Sequence, residues 1–312
     1  MAISGSGSGQ PSEPLGAAFD YQALRSRIDA LLRKQLFFVG GLAKSGTSWV
    51  QLLLDAHPQV SCSGEYHLRN RLFPALKELL EAHNRLLLEK RQQLLAELAP
   101  DPTLFGAGEL AFLFATAAML LLAGRAGDES VLAVGEKTPE NAQYLSQLDR
   151  IFPAAKFVHV IRDPRDAAIS AWFHVLRTIP EETHSHFASP SHYFRFYIDQ
   201  WVSQMRIGEE FGQRLPLRYH EVTYEALSTE PERALARLLR FLGVDDGSDA
   251  VARCLAAASF EGLSGGRARG SEDRASLFRK GIVGDWKSHF ADEDARYAVE
   301  KAGPFMRRFG FI

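Results

Sequence analysis

Short apolar runs punctuate the chain at residues 36–40 (LFFVG), 59–62 (QVSC), 131–135 (VLAVG), 156–161 (KFVHVI) and 217–222 (LRYHEV). Runs of this length, bounded by glycine, proline or charged residues, predict buried strands. Between them the apolar positions recur at helical spacing. Trp49, Val50, Leu52, Leu53 and Leu54 follow the first run, and longer helical patterns cover 74–98, 108–124, 193–212 and 231–242, the last stopped by Gly243. The run at 156–161 leads through Arg162-Asp163-Pro164-Arg165-Asp166 into a helical stretch over 167–176, and Pro164 suits a first helical turn. Buried strands alternating with helices predict an α/β fold, a parallel sheet covered on both faces with any site at the carboxyl ends of its strands. No internal repeat or interdomain linker is visible, so residues 19–312 read as one domain. The helical block at about 69–125 breaks the alternation and reads as an insertion or lid. Residues 1–18, with the run SGSGSGQPSEP, read as a flexible tail or a vector-derived scar.

Composition narrows the function classes. The 312 residues are 46% hydrophobic and 24% charged, which is ordinary globular usage and excludes a disordered chain, collagen or a disulfide scaffold. Thirty-six basic against 38 acidic residues give a net charge of −2. That balance argues against holding nucleic acid or an anionic membrane by bulk positive charge, so any anion binding must be local. The two cysteines, Cys62 and Cys254, read as free thiols in a reducing compartment. The most apolar stretch, 110–123, has 14 residues, short for a bilayer span, and the chain opens on no signal peptide. The expectation is a cytoplasmic protein.

The first strand runs into Gly40-Gly41-Leu42-Ala43-Lys44-Ser45-Gly46-Thr47-Ser48-Trp49. A glycine loop with a lysine and hydroxyls at a helix start brings backbone amides, the positive helix end and an ammonium together, which suits phosphate. The nucleoside triphosphate pattern G-x4-G-K-[ST] is not met: counted from Gly41, Gly46 is in place but Thr47 stands where the lysine belongs. No strand-end carboxylate for magnesium is evident either. A glycine turn with a solvated lysine is the bland alternative.

Ala43-Lys44-Ser45-Gly46-Thr47-Ser48-Trp49 resembles the P-K-S-G-T-T-W loop by which sulfotransferases hold the 5'-phosphosulfate of 3'-phosphoadenosine 5'-phosphosulfate (PAPS), with alanine in place of the usual proline. Two further segments match in the expected order. Val160-Ile161-Arg162-Asp163-Pro164-Arg165-Asp166-Ala167-Ala168-Ile169-Ser170 is similar to the segment that grips the 3'-phosphate, which implies that role for Arg162 and Ser170. Arg279-Lys280-Gly281-Ile282-Val283-Gly284-Asp285-Trp286-Lys287 resembles the cytosolic R-K-G-x-x-G-D-W-K signature, whose first three residues complete the same pocket. Tyr224-Glu225-Ala226-Leu227 resembles a Y-E-D-[LM] segment whose tyrosine lies near the adenine, and Ser259-Phe260 a pair whose ring packs on the purine. The resemblance implies a P-loop-like, bacterial, PAPS-dependent sulfotransferase that releases adenosine 3',5'-bisphosphate (PAP), requires no metal, and binds its cofactor through Lys44, Ser45, Gly46, Thr47, Ser48, Trp49, Arg162, Ser170, Tyr224, Ser259, Phe260, Arg279, Lys280 and Gly281. Each basic residue also has a structural reading: Arg162 paired with Asp163 or Asp166, Ser170 bonded to its own helix, and 279–281 a solvated basic turn.

Transfer of a sulfuryl group needs alignment, charge stabilisation on the leaving phosphate and removal of the acceptor's proton. Lys44 is the candidate cation at the bridging oxygen, with Thr47, Ser48 and loop amides on the 5'-phosphate. Lys137, in Gly135-Glu136-Lys137-Thr138-Pro139, is a second catalytic cation or a surface lysine. The phenol and steroid enzymes draw a base histidine from a K-T-H segment, but Pro139 follows Lys137-Thr138 here. Gly64-Glu65-Tyr66-His67 instead resembles the segment of tyrosylprotein and glycan sulfotransferases that carries a base glutamate. Glu65 is therefore the first candidate base, His67 the second or its partner, and Glu136 a third, occupied by the adjacent lysine. His184 and His186 lack a third metal ligand, so no metal site is expected, and His159 reads as core.

Acceptor binding is expected from the helices at 69–125 and from 173–197, the latter a candidate lid. The helix at 108–124 is apolar almost all round, which predicts burial between elements. A hydroxyl, or less readily an amine, is the implied acceptor, and the near-zero net charge favours a small or weakly charged molecule over a polyanionic glycan. A nucleotide kinase on a related loop and a non-catalytic PAPS-binding module are the rival readings. A homodimer is compatible with the resemblance, since cytosolic members pair through a C-terminal segment, and residues 290–312 do not decide it.

Overall fold

The computed structural model describes residues 20–94 and 101–312; the expected tail at 1–18 and the end of the helix expected over 74–98 lie outside them. In chain order the elements are α1 (Tyr21–Leu32), β1 (Gln35–Gly40), α2 (Thr47–Asp55), β2 (Val60–Ser63), a widened turn at Leu68–Leu72, α3 (Phe73–Leu94), α4 (Ala107–Leu122), β3 (Ala133–Lys137), α5 (Leu145–Ile151) and β4 (Lys156–Ile161). Then come α6 (Pro164–Thr178), α7 (Pro180–His186), α8 (Pro190–Arg214), β5 (Tyr219–Thr223), α9 (Tyr224–Thr229), α10 (Pro231–Leu242), α11 (Ser248–Ala257), α12 (Phe260–Leu263) and α13 (Asp292–Arg308). All five expected strands are present, each within two residues of its apolar run.

They form one parallel sheet in the order β2-β3-β1-β4-β5. Successive strand residues face opposite sides, so each apolar run feeds two cores. Phe37 and Val39 pack with Val50, Leu53, Leu235 and Leu238 beneath α2 and α10. Phe38 and Phe157 pack with Leu148 and Phe211 beneath α5 and α8. A third core joins Ile161 and α6 to α8 and α13.

β1 is central, and its carboxyl end is tightly braced. Gly41 donates its amide to Pro139 O at 2.9 Å, and a side chain at Gly40 would meet the Ala142 nitrogen at 2.4 Å. Glycine is therefore needed where the turn after β3 crosses the turn after β1, and that crossing places Lys137 beside the glycine loop.

The helical block departs from expectation. Only Phe114, Ala118 and Leu122 of α4 are buried, while Phe112 is 70% exposed and Leu121 is exposed as well. α4 with its following turn runs over Ala107–Arg125, 19 residues, so by length and composition it is enough to cross a bilayer, unlike the 14-residue stretch counted in the sequence. It packs one side against α1, α3 and β3. The segment expected as a lid forms the end of α6, α7 and the first turns of α8, with Phe187 stacked edge-on against Tyr193 at 4.9 Å. α13 was not predicted at all.

Candidate active site

The loop between β1 and α2 reverses through two left-handed residues, Lys44 at φ +74° and Gly46 at φ +100°. A side chain at Gly46 would lie 2.8 Å from the Tyr224 ring. No side chain caps α2, which leaves the amides of its first turn free toward the loop's concave side. Burial, together with the charges of Arg177, Arg162 and Lys137, brings the Lys44 ammonium down to about pKa 8, only in part offset by the Glu65 carboxylate. Crowding of cations is what an anion site looks like before its anion arrives.

Arg162 follows β4 and is buried. Its guanidinium lies 4.2 Å over the Tyr224 ring, reaches Lys44 O at 3.4 Å and Ile282 O at 3.2 Å, and leaves Nε buried without a partner. Its two rivals for a structural pair are engaged elsewhere. Asp163 binds Arg165 at 2.6 Å, and Asp166 accepts the amides of Gly284 and Trp286 at 2.6 and 2.9 Å. Those last two bonds hold the 279–287 segment against the start of α6.

In that segment Arg279 pairs with both Glu272 and Asp285, and Lys280 Nζ lies 2.5 Å from Asp285 Oδ1. Burial pushes the Asp285 carboxyl up, but the bonds from Arg279 and Lys280 outweigh it and hold the group below its ordinary value. The 279–281 turn is therefore built into an ion-pair cluster and is not a solvated basic turn. Gly281 is left-handed at φ +69°, and a Cβ there would meet the Phe260 ring at 2.4 Å. Ser259 caps α12 by accepting the Gly262 amide at 3.3 Å.

On the opposite side, Lys137 is almost fully buried, donates to Ser48 Oγ at 3.1 Å and forms an ion pair with Glu65. It is no surface lysine. The other Glu65 oxygen stands 3.4 Å from His67 Nε2, and His67 sits at φ +50°. Glu136, next to Lys137 in sequence, faces away from it and is fully buried; burial raises its carboxyl to about pKa 7 against hydrogen bonds from Asn141, Thr138 and the Tyr66 amide.

These segments enclose a cavity of about 430 Å³. Lys44, Gly46, Thr47, Ser48, Trp49, Glu65, Arg162, Ser170, Tyr224, Phe260, Arg279, Lys280 and Gly281 line it. Ser45, His67, Lys137 and Ser259 do not; they stand behind lining residues. No residue of 69–125 lines it among the described residues, so the expected acceptor wall is absent from this cavity. Sequence reasoning missed Arg269, whose guanidinium lies 5.3 Å from the Trp49 ring and 5.7 Å from Phe260, and gave His174 only a lid role. His174 lies one helical turn beyond Ser170, and that spacing was the available signal. Arg177 Nη2 approaches its Nδ1 at 3.0 Å, and a guanidinium can only donate, so the ring proton sits on Nε2. Among the described residues no cluster of three His, Cys, Asp or Glu could hold a metal ion. His159 is core, bonded to Tyr219 at 2.6 Å.

A family model described as "Sulfotransferase family" matches residues 37–248, more than half of the chain. The chain belongs to the sulfotransferase family. Protein-tyrosine sulfotransferase 2 of Gallus gallus is 26% identical to it over 212 residues, 67% of this chain and 51% of the relative, so the chain spans about half of that relative's length. A putative protein-tyrosine sulfotransferase of Caenorhabditis briggsae is 23% identical over 278 residues, 89% of each chain. Among solved structures, mouse sulfotransferase SULT7A1 complexed with PAP superposes with a TM-score of 0.55 at 17% identity, over 93% of this chain and 91% of that one, a likeness of fold. The family match takes in Lys44, Glu65, Lys137 and Arg162, whereas Arg279, Lys280 and Gly281 lie beyond it.

Proposed function

We propose that this protein transfers the sulfuryl group of PAPS to a hydroxyl acceptor and releases PAP. The observation that carries the reading is the convergence of three distant segments, 44–49, 162–170 and 279–281, on one cavity with Glu65 at its rim. The cavity volume lies within the roughly 300–1,000 Å³ usual for small-ligand sites. Buried guanidinium nitrogens without partners at Arg162 and Arg279 fit a doubly phosphorylated nucleotide.

When bound, PAPS supplies an electrophilic sulfuryl group on a phosphate leaving group. The amides of 46–48 and the Thr47 and Ser48 hydroxyls hold the 5'-phosphate, and Lys44 offers its charge where the leaving oxygen gains its own. Arg162, Ser170, Arg279 and Lys280 hold the 3'-phosphate, and the faces of Trp49, Phe260 and Tyr224 bound the base. Glu65 takes the acceptor proton, with Lys137 and His67 orienting its two oxygens. A small or weakly charged acceptor, a tyrosine phenol included, suits a site whose cations are committed to the nucleotide. The kinase reading is disfavoured by Thr47 at the lysine position of the triphosphate loop.

The test is calorimetric titration with PAP in the absence of magnesium, followed by turnover of labelled PAPS over a panel of phenols, alcohols, amines and tyrosine peptides. Saturable PAP binding and labelled product are expected. No PAP binding would sink the proposal, and binding without turnover on any acceptor would favour a non-catalytic PAPS-binding module.

A further inference from the structure

The mechanism above leaves one buried carboxylate near the site without a task. Glu136 ends no cavity wall and is fully buried on the last-but-one position of β3, where its side chain faces the side opposite to Lys137. Its oxygens are completely engaged. Oε1 accepts from Asn141 Nδ2 at 2.6 Å, Oε2 accepts from Thr138 Oγ1 at 2.7 Å, and the carboxylate also accepts the Tyr66 amide. Those partners lead outward in two directions. Thr138 Oγ1 accepts the His67 amide at 3.2 Å, and Asn141 Nδ2 also donates to Val39 O at 3.1 Å, one residue before the end of β1.

We infer that Glu136 is a positioning residue which, through Thr138 and the amides of Tyr66 and His67, fixes the 64–67 loop so that Glu65 stands against Lys137 at the cavity rim. The loop needs such a hold. His67 is left-handed without being glycine, a backbone state that persists only where its surroundings impose it. Its own amide and that of the residue before it are the ones tied to the Glu136 cluster. In its ionised form a carboxyl suits the role because it only accepts, and every group facing it here donates. An amide in its place would turn donors onto a donor.

The inference rests on Glu65 as base, and a double-mutant cycle separates the two claims. In Glu65→Gln, kcat should fall about 100-fold while PAP affinity holds. Glu136→Gln and Thr138→Val should each lower kcat at least about tenfold with PAP affinity within about threefold of the parent, and Thr138→Ser, which keeps the hydroxyl, should restore near-parental kcat. In the Glu65→Gln background, Glu136→Gln and Thr138→Val should cost less than about threefold more, because the group they position is gone. Full multiplicative losses in that background, or an unchanged kcat in Thr138→Val, would overturn the positioning role while leaving the base standing. An unchanged kcat in Glu65→Gln overturns the base, and this inference with it. Should Glu136→Gln fail to fold, the Thr138 pair run through the same cycle decides.

Discussion

Two of the turns that bring cations to this cavity hold them in opposite ways. Lys44 has no ion-pair partner among the described residues; burial first, then the charges of Arg177, Arg162 and Lys137, brings its ammonium down to about pKa 8. Arg279 and Lys280 are already neutralised by Glu272 and Asp285, and Asp285 is nearly inaccessible to solvent. The first turn holds charge that Glu65 offsets only in part and that an incoming anion would relieve. The second is part of the scaffold, and its cations serve the fold whether or not an anion is present. Removing a cation should therefore help folding at one turn and harm it at the other.

The largest effect is expected in Lys44→Ala. Loss of charge at the leaving oxygen should lower kcat by about 10²–10³-fold in a labelled-PAPS assay, while the melting temperature holds or rises. A lowered melting temperature would break the contrast, and near-normal turnover would remove the assigned role. Arg279→Ala comes next. It leaves Asp285 to Lys280 and takes the closest cation from Glu272, so the melting temperature should drop by about 5 °C or more alongside a roughly tenfold loss of PAP affinity. A variant that loses affinity at unchanged stability would show the ion-pair cluster to be incidental.

The smallest effect is on pH dependence. Free Lys44 loses its proton near pH 8, and a bound phosphate raises that value, so the complex holds more protons than the free protein above neutrality. PAP titrations at pH 8 in buffers of different ionisation enthalpy should show proton uptake, and affinity should fall by about five- to tenfold between pH 7 and pH 9. Proton uptake that survives Lys44→Ala belongs to another group.

The strands were legible because a buried parallel strand has little freedom of composition: LFFVG and KFVHVI can hardly be anything else. α13 escaped notice because its inward positions are Asp294, Ala298, Ala302, Gly303 and Met306: one charged residue and three small ones leave a single large apolar side chain, too little for a visible stripe. α4 misled in the other direction: uniformly apolar residues suggested two-sided burial, whereas one face meets the protein and Phe112 meets solvent. At the site, the lining residues given by local motifs were legible, since backbone shape and ligand chemistry are both encoded within a few positions. Arg269, the neutral tautomer of His174 and the alternative partners of Asp163 and Asp166 were not, because each depends on a residue that sequence places far away. The placement of 69–125 outside the cavity lining was illegible for the same reason: an interruption in the strand pattern says that a segment is extra, not where it packs.

The contacts of Gly46 with Tyr224 and of Arg269 with Trp49 join the beginning of the domain to its last third. A ribosome that has released only the first two hundred and fifty residues has therefore produced the whole sheet but not Phe260, Arg269, Arg279 and Lys280, which close one side of the cavity. The same geometry makes the protein divisible. Cut between α12 and Arg279, it would yield two pieces whose reunion could be read out by nucleotide capture.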